Sequence, residues 1–262
     1  MHPIITGCFQ WEVAPGRPDS NVLKVEATLP HFADQGCQLL VLPEMWSCCF
    51  DYGQLKVQAQ ATPGILSHVR AWCRRYEMVI VGSLPDLEDG LIYNTNFVVD
   101  ADGTVVGAYR KTHLFTLHGE DHHFAPGDRS LVCDTKAGRL GIITCYDLRF
   151  PELPRLLALR GAEILCVSAH WPLPRIEHWS LLLRCRAIEN QMFVVGCNGC
   201  GSEGDLRYGG ASAIISPLGA LLAQGNGHES QVLAQLDFNE MEAFRKHIPC
   251  FQDRRPDVYE KV

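Results

Sequence analysis

The chain has 262 residues, 47% of them hydrophobic and 20% charged, the balance of an ordinary folded protein. At this length a compact chain hides roughly three-quarters of its unfolded surface, so neither disulfides nor a structural metal are needed for stability. With 23 Lys+Arg against 30 Asp+Glu the net charge is −7 and no basic run occurs, which argues against a nucleic-acid or anionic-membrane partner.

The start, Met1-His2-Pro3-Ile4-Ile5, lacks a basic segment and a cleavable apolar stretch, and no apolar run is long enough to span a bilayer. A cytoplasmic protein without a membrane partner is therefore expected. The twelve cysteines are then expected to be mostly reduced, buried, small hydrophobes.

Strands and helices alternate from the first residues. Ile4 to Gln10 predicts a strand, and Asp19, Ser20 and Asn21 offer caps to a helix with Val22, Val25, Leu29 and Phe32 on one face. Gly36 ends that helix, and Gln38 to Leu42 is an apolar run of buried-strand type stopped by Pro43-Glu44. Leu66, Val69, Cys73 and Tyr76 repeat at helical spacing, and Met78 to Leu84 returns as a strand. Thr95 to Asp100 and Thr104 to Tyr109, joined at Asp102-Gly103, predict a hairpin that delivers Lys111 to a strand end. From Lys111 to Gly127 no period is visible, so a long loop is expected, of the kind that carries function in compact domains. Gly141 to Thr144 predicts a strand ending at Cys145, and Pro151 opens a helix with Leu153, Leu156 and Leu157 that stops at Gly161.

The second half repeats this grammar. Gly36 to Trp46 aligns without gaps on Gly161 to Trp171, each a helix-ending glycine, an apolar strand and a tryptophan, which suggests two pseudo-equivalent α/β halves. Arg175 to Gln191 predicts a long helix with Ile176, Trp179, Leu183 and Ala187 on one face. Strands are expected at Met192–Gly196, Ala211–Ser216, Leu221–Gln224 and Gln231–Leu236. From Arg245 the chain is polar with single apolar anchors (Ile248, Phe251, Tyr259), so one domain over 1–262 is expected, with 245–262 as an arm draped over the body or a partner.

Three residues at strand ends carry chemistry. Cys145 sits where an apolar strand gives way to a turn and a helix, the edge at which open α/β sheets place their ligands, and nearby amide N–H groups favour a thiolate. A carboxylate at the end of a buried strand, as Glu44 is, is awkward unless it is paired or working, which makes it a candidate general base. Lys111 supplies a cation able to meet developing negative charge. Taken alone, each also fits a bland role: a buried thiol, a strand-terminating glutamate, a surface lysine. Together they make the minimum set for acyl transfer through a thioester, and no G-x-S-x-G elbow, P-loop or strand-borne G-x-G-x-x-G competes.

The runs Leu42-Pro43-Glu44, Tyr109-Arg110-Lys111-Thr112-His113-Leu114-Phe115 and Cys145-Tyr146-Asp147-Leu148-Arg149-Phe150-Pro151-Glu152-Leu153 resemble, in order, those of the nitrilase-type carbon–nitrogen hydrolases. The similarity extends through Ala187-Ile188-Glu189-Asn190-Gln191 to Ile248-Pro249-Cys250-Phe251. This resemblance implies an α/β fold of four layers, an α-β-β-α sandwich, and a homodimer or larger homo-oligomer built partly on the helices after Cys145. It further implies Glu44 as base, Lys111 and the backbone N–H of Tyr146 at the oxyanion, Cys145 as nucleophile, and Glu120, ahead of Pro126-Gly127-Asp128, as a second glutamate beside the lysine. No metal and no organic cofactor is implied.

Within the family, Ser168-Ala169-His170-Trp171-Pro172-Leu173-Pro174-Arg175 with His178-Trp179 is similar to the omega-amidases, which act on the terminal amide of 2-oxoglutaramate and 2-oxosuccinamate. His170 and Trp171 are then candidates for substrate contact, and a substrate carboxylate calls for Arg149 or Arg175. The same chemistry on a longer acyl chain, that of deaminated glutathione amidase, is the nearest alternative; an N-carbamoyl amino acid hydrolase, a nitrilase and a catalytically silent scaffold stand further off. The C-x-x-C at Cys197 to Cys200 has no second pair at zinc spacing, and His118, Asp121, His122 and His123 are expected in water at the pocket mouth.

Overall fold

The computed structural model describes residues 2–259. In chain order the strands are β1 (Ile4–Gln10), β2 (Cys37–Val41), β3 (Val79–Glu88), β4 (Leu91–Val99), β5 (Val105–Arg110), β6 (Leu131–Thr135) and β7 (Gly138–Thr144). They continue as β8 (Ile164–Ala169), β9 (Phe193–Asn198), β10 (Cys200–Glu203), β11 (Leu206–Gly209), β12 (Ala213–Ile215), β13 (Leu221–Gln224) and β14 (Ser230–Leu236). The helices are α1 (Pro18–Asp34), α2 (Leu55–Tyr76), α3 (Glu152–Leu159), α4 (Ile176–Asn190), α5 (Phe238–His247) and α6 (Pro256–Tyr259).

Two six-stranded sheets form, in the orders β14-β1-β2-β3-β4-β5 and β13-β12-β9-β8-β7-β6. Their ladders match position by position. β1, β2 and β3 run parallel as β7, β8 and β9 do, and each triplet is flanked by antiparallel strands on both sides. The pseudo-equivalence expected from the Gly36 and Gly161 segments thus holds, with β2 and β8 as the paired central strands.

Period-two alternation on these strands divides the core. Cys8, Leu39, Val41, Val79 and Val81 face the second sheet, while Phe9, Leu40 and Ile80 face outward onto α1 and α2. On the second sheet Leu157 of α3 and Trp179 and Leu183 of α4 cover the outer face. The result is the expected α-β-β-α sandwich.

Several local expectations need correction. α1 begins at Pro18, with Arg17 at the N-cap and no side-chain cap. Asn21 is instead buried, bonding Ala14 through both side-chain atoms and donating Nδ2 to the Ser47 carbonyl at 2.8 Å. The hairpin β10–β11, the edge strand β6 and the helix α5 lie in segments where no element was expected. Of the arm, Arg245 belongs to α5 and donates to the Gln191 and Ala162 carbonyls, while Phe251 packs on the core beneath the Arg155 and Arg245 guanidinium groups. It is therefore fastened to the body; residues 260–262 of it lie outside the described residues. All twelve cysteines are free and ten are buried, Cys185 being half-buried and Cys250 exposed.

Candidate active site

Glu44, Lys111 and Cys145 follow β2, β5 and β7 and meet at one end of the sandwich. Glu44 and Lys111 are wholly buried. Lys111 Nζ donates to Glu44 Oε1 at 2.8 Å and to Glu120, whose carboxylate oxygens stand 2.7 and 2.8 Å away. Glu44 Oε1 also accepts from Asn94 Nδ2 at 2.8 Å, and Oε2 accepts from the backbone N–H of His170 at 3.1 Å. That last bond crosses from the end of β8 to the end of β2, so each half of the molecule helps aim the carboxylate.

Cys145 has φ +46°, a left-handed conformation costly for a residue with a Cβ, and it opens a short 3₁₀ turn to Arg149. The turn reverses the chain sharply and presents the thiol to the cavity. Burial pushes the Cys145 thiol well up; Glu44 adds to this, and Lys111 opposes it. Burial also works against the Lys111 ammonium, but Glu120 and then Glu44 outweigh it and hold its pKa well above the ordinary lysine value. The Glu120 carboxyl is raised, chiefly by burial, with Lys111 pulling the other way and Glu44 reinforcing. The site thus places a protonated lysine between Glu44 and Glu120, beside a neutral thiol.

The cavity holds about 430 Å³, room for a small acyl group, and is lined by Glu44, Glu120, Cys145, Tyr146, His170 and Trp171 among others. Arg149 and Arg175 also line it. Arg149 lies 4.7 Å over the Trp171 ring and 3.4 Å from His178 Nδ1. Arg175 lies 5.7 Å over the Phe115 ring, with no hydrogen-bond or ion-pair partner for its guanidinium among the described residues. Burial holds His170 down to about 4, so its imidazole is neutral. A Cβ on Gly199 would meet that ring at 2.3 Å, which explains the glycine between β9 and β10. His118 reaches the cavity; His122 and His123 are exposed, His123 stacking on Tyr52 at 3.9 Å.

Sequence reasoning passed over Phe50, Tyr52, Phe115, Glu203, Leu206 and Tyr208, which complete the walls. Glu203 pairs with Leu206 across a two-residue turn at Gly204-Asp205, and Gly-Asp between short runs is itself a hairpin signal. Cys197, the first cysteine of the C-x-x-C, donates to the Phe9 carbonyl at 3.1 Å. Asn94 gives no signal in the sequence, since only the β3–β4 pairing brings it beside Glu44.

The carbon–nitrogen hydrolase profile matches residues 7–246. The 2-oxoglutaramate amidase of Bacillus subtilis (strain 168) is 35% identical over 254 residues, 96% of this chain and 98% of that protein. The omega-amidase NIT2 of Homo sapiens is 32% identical, over 91% of each chain. Among solved structures, a carbon–nitrogen hydrolase from Helicobacter pylori G27 superposes with a TM-score of 0.93 at 25% identity, covering 99% of this chain and 97% of that one.

Proposed function

The chain belongs to the carbon–nitrogen hydrolase family, whose members hydrolyse carbon–nitrogen bonds, and from that premise we propose that it releases ammonia from the terminal amide of a small 2-oxo acid of the 2-oxoglutaramate and 2-oxosuccinamate type. The observation that carries the mechanism is the hydrogen-bonded Glu44–Lys111–Glu120 chain beside Cys145 in a cavity of small-acyl size. Glu44 takes the Cys145 proton as sulfur attacks the amide carbon. Lys111 and the backbone N–H of Tyr146 hold the oxyanion. Glu44 then protonates the leaving ammonia, and a thioester remains on Cys145. Water, deprotonated by Glu44, attacks that thioester; the acid leaves, the C–S bond breaks and Glu44 returns the proton to the Cys145 sulfur. Glu120 keeps Lys111 aimed throughout, and no step calls for a metal or organic cofactor.

The substrate carboxylate falls to Arg175, whose guanidinium has no partner among the described residues at the cavity wall, with Arg149 beside Trp171, and with His170 and Trp171 shaping the acyl pocket. We further propose a homodimer, built on the exposed apolar side chains Leu156, Leu159, Leu181 and Ile188 of α3 and α4, acting in the cytoplasm, where twelve unpaired thiols stay reduced. Among the described residues no helix is long and apolar enough to cross a membrane.

The test is ammonia release from 2-oxoglutaramate, deaminated glutathione, an N-carbamoyl amino acid and an aliphatic nitrile, with Cys145→Ala as control. Release from 2-oxoglutaramate that disappears in the control is expected. Release only from another member moves the substrate and keeps the chemistry; none from any, with folded protein, favours a silent scaffold.

A further inference from the structure

Glu44 and Lys111 stand at the ends of strands in the first sheet, whereas Cys145 ends a strand of the second. Among the described residues no β-ladder joins the sheets, and the backbone bond that crosses between them here, from the Glu44 N–H to the Ala169 carbonyl at 3.4 Å, involves neither the Lys111 nor the Cys145 segment, so side chains help set how far the thiol lies from the ammonium. Asp147, wholly buried, sits at that junction. Its Oδ1 accepts from the His113 backbone N–H at 2.9 Å and from His113 Nδ1 at 2.8 Å. Its Oδ2 accepts from the Tyr109 hydroxyl at 2.7 Å and from the Thr144 backbone N–H at 2.9 Å. Tyr109 and His113 stand two residues to either side of Lys111, and Thr144 directly precedes Cys145.

We propose that Asp147 is a positioning residue for the reaction: its carboxylate ties the chain on both sides of Lys111 to the turn that bears Cys145, and so fixes ammonium against thiol. A turn-capping aspartate needs only the Thr144 bond. The other three donors come from 34 and 38 residues earlier, across the sandwich. Further contacts hold both ends of the clamp. The His113 ring stacks on Phe150 at 3.7 Å with planes 9° apart, and the Tyr109 hydroxyl, its proton on Asp147, accepts from the Thr112 backbone N–H at 3.3 Å. Asn96 Nδ2, on β4 of the first sheet, donates to Thr144 Oγ1 at 3.3 Å and secures the start of the turn. Asp147 itself touches neither substrate space nor Cys145 chemistry; among the described residues its ion-pair partner is His113, a residue of the Lys111 segment.

This inference rests on the roles proposed for Cys145 and Lys111, and its test separates the two. In the full-length chain, Asp147→Asn is compared with the wild type by steady-state ammonia release and by the pH dependence of Cys145 alkylation with iodoacetamide, followed by peptide mass spectrometry. A misplacement of about an ångström is expected to lower kcat on the order of a hundredfold with KM nearly unchanged. The alkylation profile is expected to move to higher pH as the thiolate loses its neighbouring ammonium. Tyr109→Phe, which removes one donor and leaves three, is expected to move both quantities the same way by less, and it stands in if Asp147→Asn fails to fold. Lowered thermal stability with kcat per alkylatable site and the alkylation profile both unmoved overturns the proposal and leaves Asp147 a purely structural residue. Because the alkylation shift needs no substrate, its appearance in a protein inert toward every amide supports the clamp while discarding the proposed activity.

Discussion

Lys111 is a wholly buried ammonium compensated by two carboxylates. Removing one partner of such a cluster leaves the others as uncompensated buried charge. Lys111→Met is therefore expected to destabilise the fold by about 3–5 kcal/mol in urea unfolding, besides lowering kcat by roughly two orders of magnitude or more. Unchanged stability would sink the reading of this cluster as an integral ion network. His170 gives a pH dependence of known sign. Its folded pKa of about 4 lies below the ordinary 6.5, so the unfolded chain binds the extra proton in that window. The contribution of the neutral ring is whole above pH 6.5 and is lost as pH falls toward 4, amounting to up to about 3 kcal/mol. His170→Asn should flatten this part of the acid loss when urea unfolding is compared near neutrality and in mild acid.

Among the elements, the loop after β5 matters most because it carries Glu120 back to the lysine. Its far end is pinned where the Gly127 N–H donates to the Lys111 carbonyl at 2.9 Å, and a Cβ there would meet the Arg110 carbonyl oxygen at 2.2 Å. The atoms in the way are the Arg110 carbonyl group and its Cβ, none of them the far end of a flexible side chain. Gly127→Ala is expected to cost about 1–3 kcal/mol and to lower kcat, because the loop must withdraw from the strand end. Full activity and an unchanged melting temperature in that variant would mean the loop is not held there. The strands that frame the site were legible because their apolar runs end abruptly at Glu44, Lys111 and Cys145. Asn21 misled for a physical reason: a residue apt to cap a helix instead satisfied the Ala14 and Ser47 backbone carbonyls. The β6 strand and β10–β11 hairpin escaped notice because each is short and half-exposed, so neither presents a sustained alternation.

For the whole molecule, the proposed dimer is testable through its exposed apolar face. Leu181 is 63% exposed on α4, and Leu181→Glu with Ile188→Glu is expected to shift the sedimentation mass from two chains to one. A wild type that sediments as a single chain at micromolar concentration discards this interface. The doubled fold explains the geometry of the site. Each half ends its central strand at the same edge, so β2 delivers Glu44 where β8 delivers the His170 N–H that aims it.

The chain by itself determined the alternation of elements, the repeat of its halves and the residues at the strand ends, because these follow from apolar periodicity and from polar groups that interrupt it. The motif runs also determined the family, since an ordered set of catalytic segments is a property of the sequence alone. What only the tertiary structure decided is who stands beside whom. Asn94 against Glu44 depends on strand pairing within the first sheet, and the four donors on Asp147 depend on packing one sheet over the other. Those distances are set by contacts between residues far apart along the chain, and no local pattern records them.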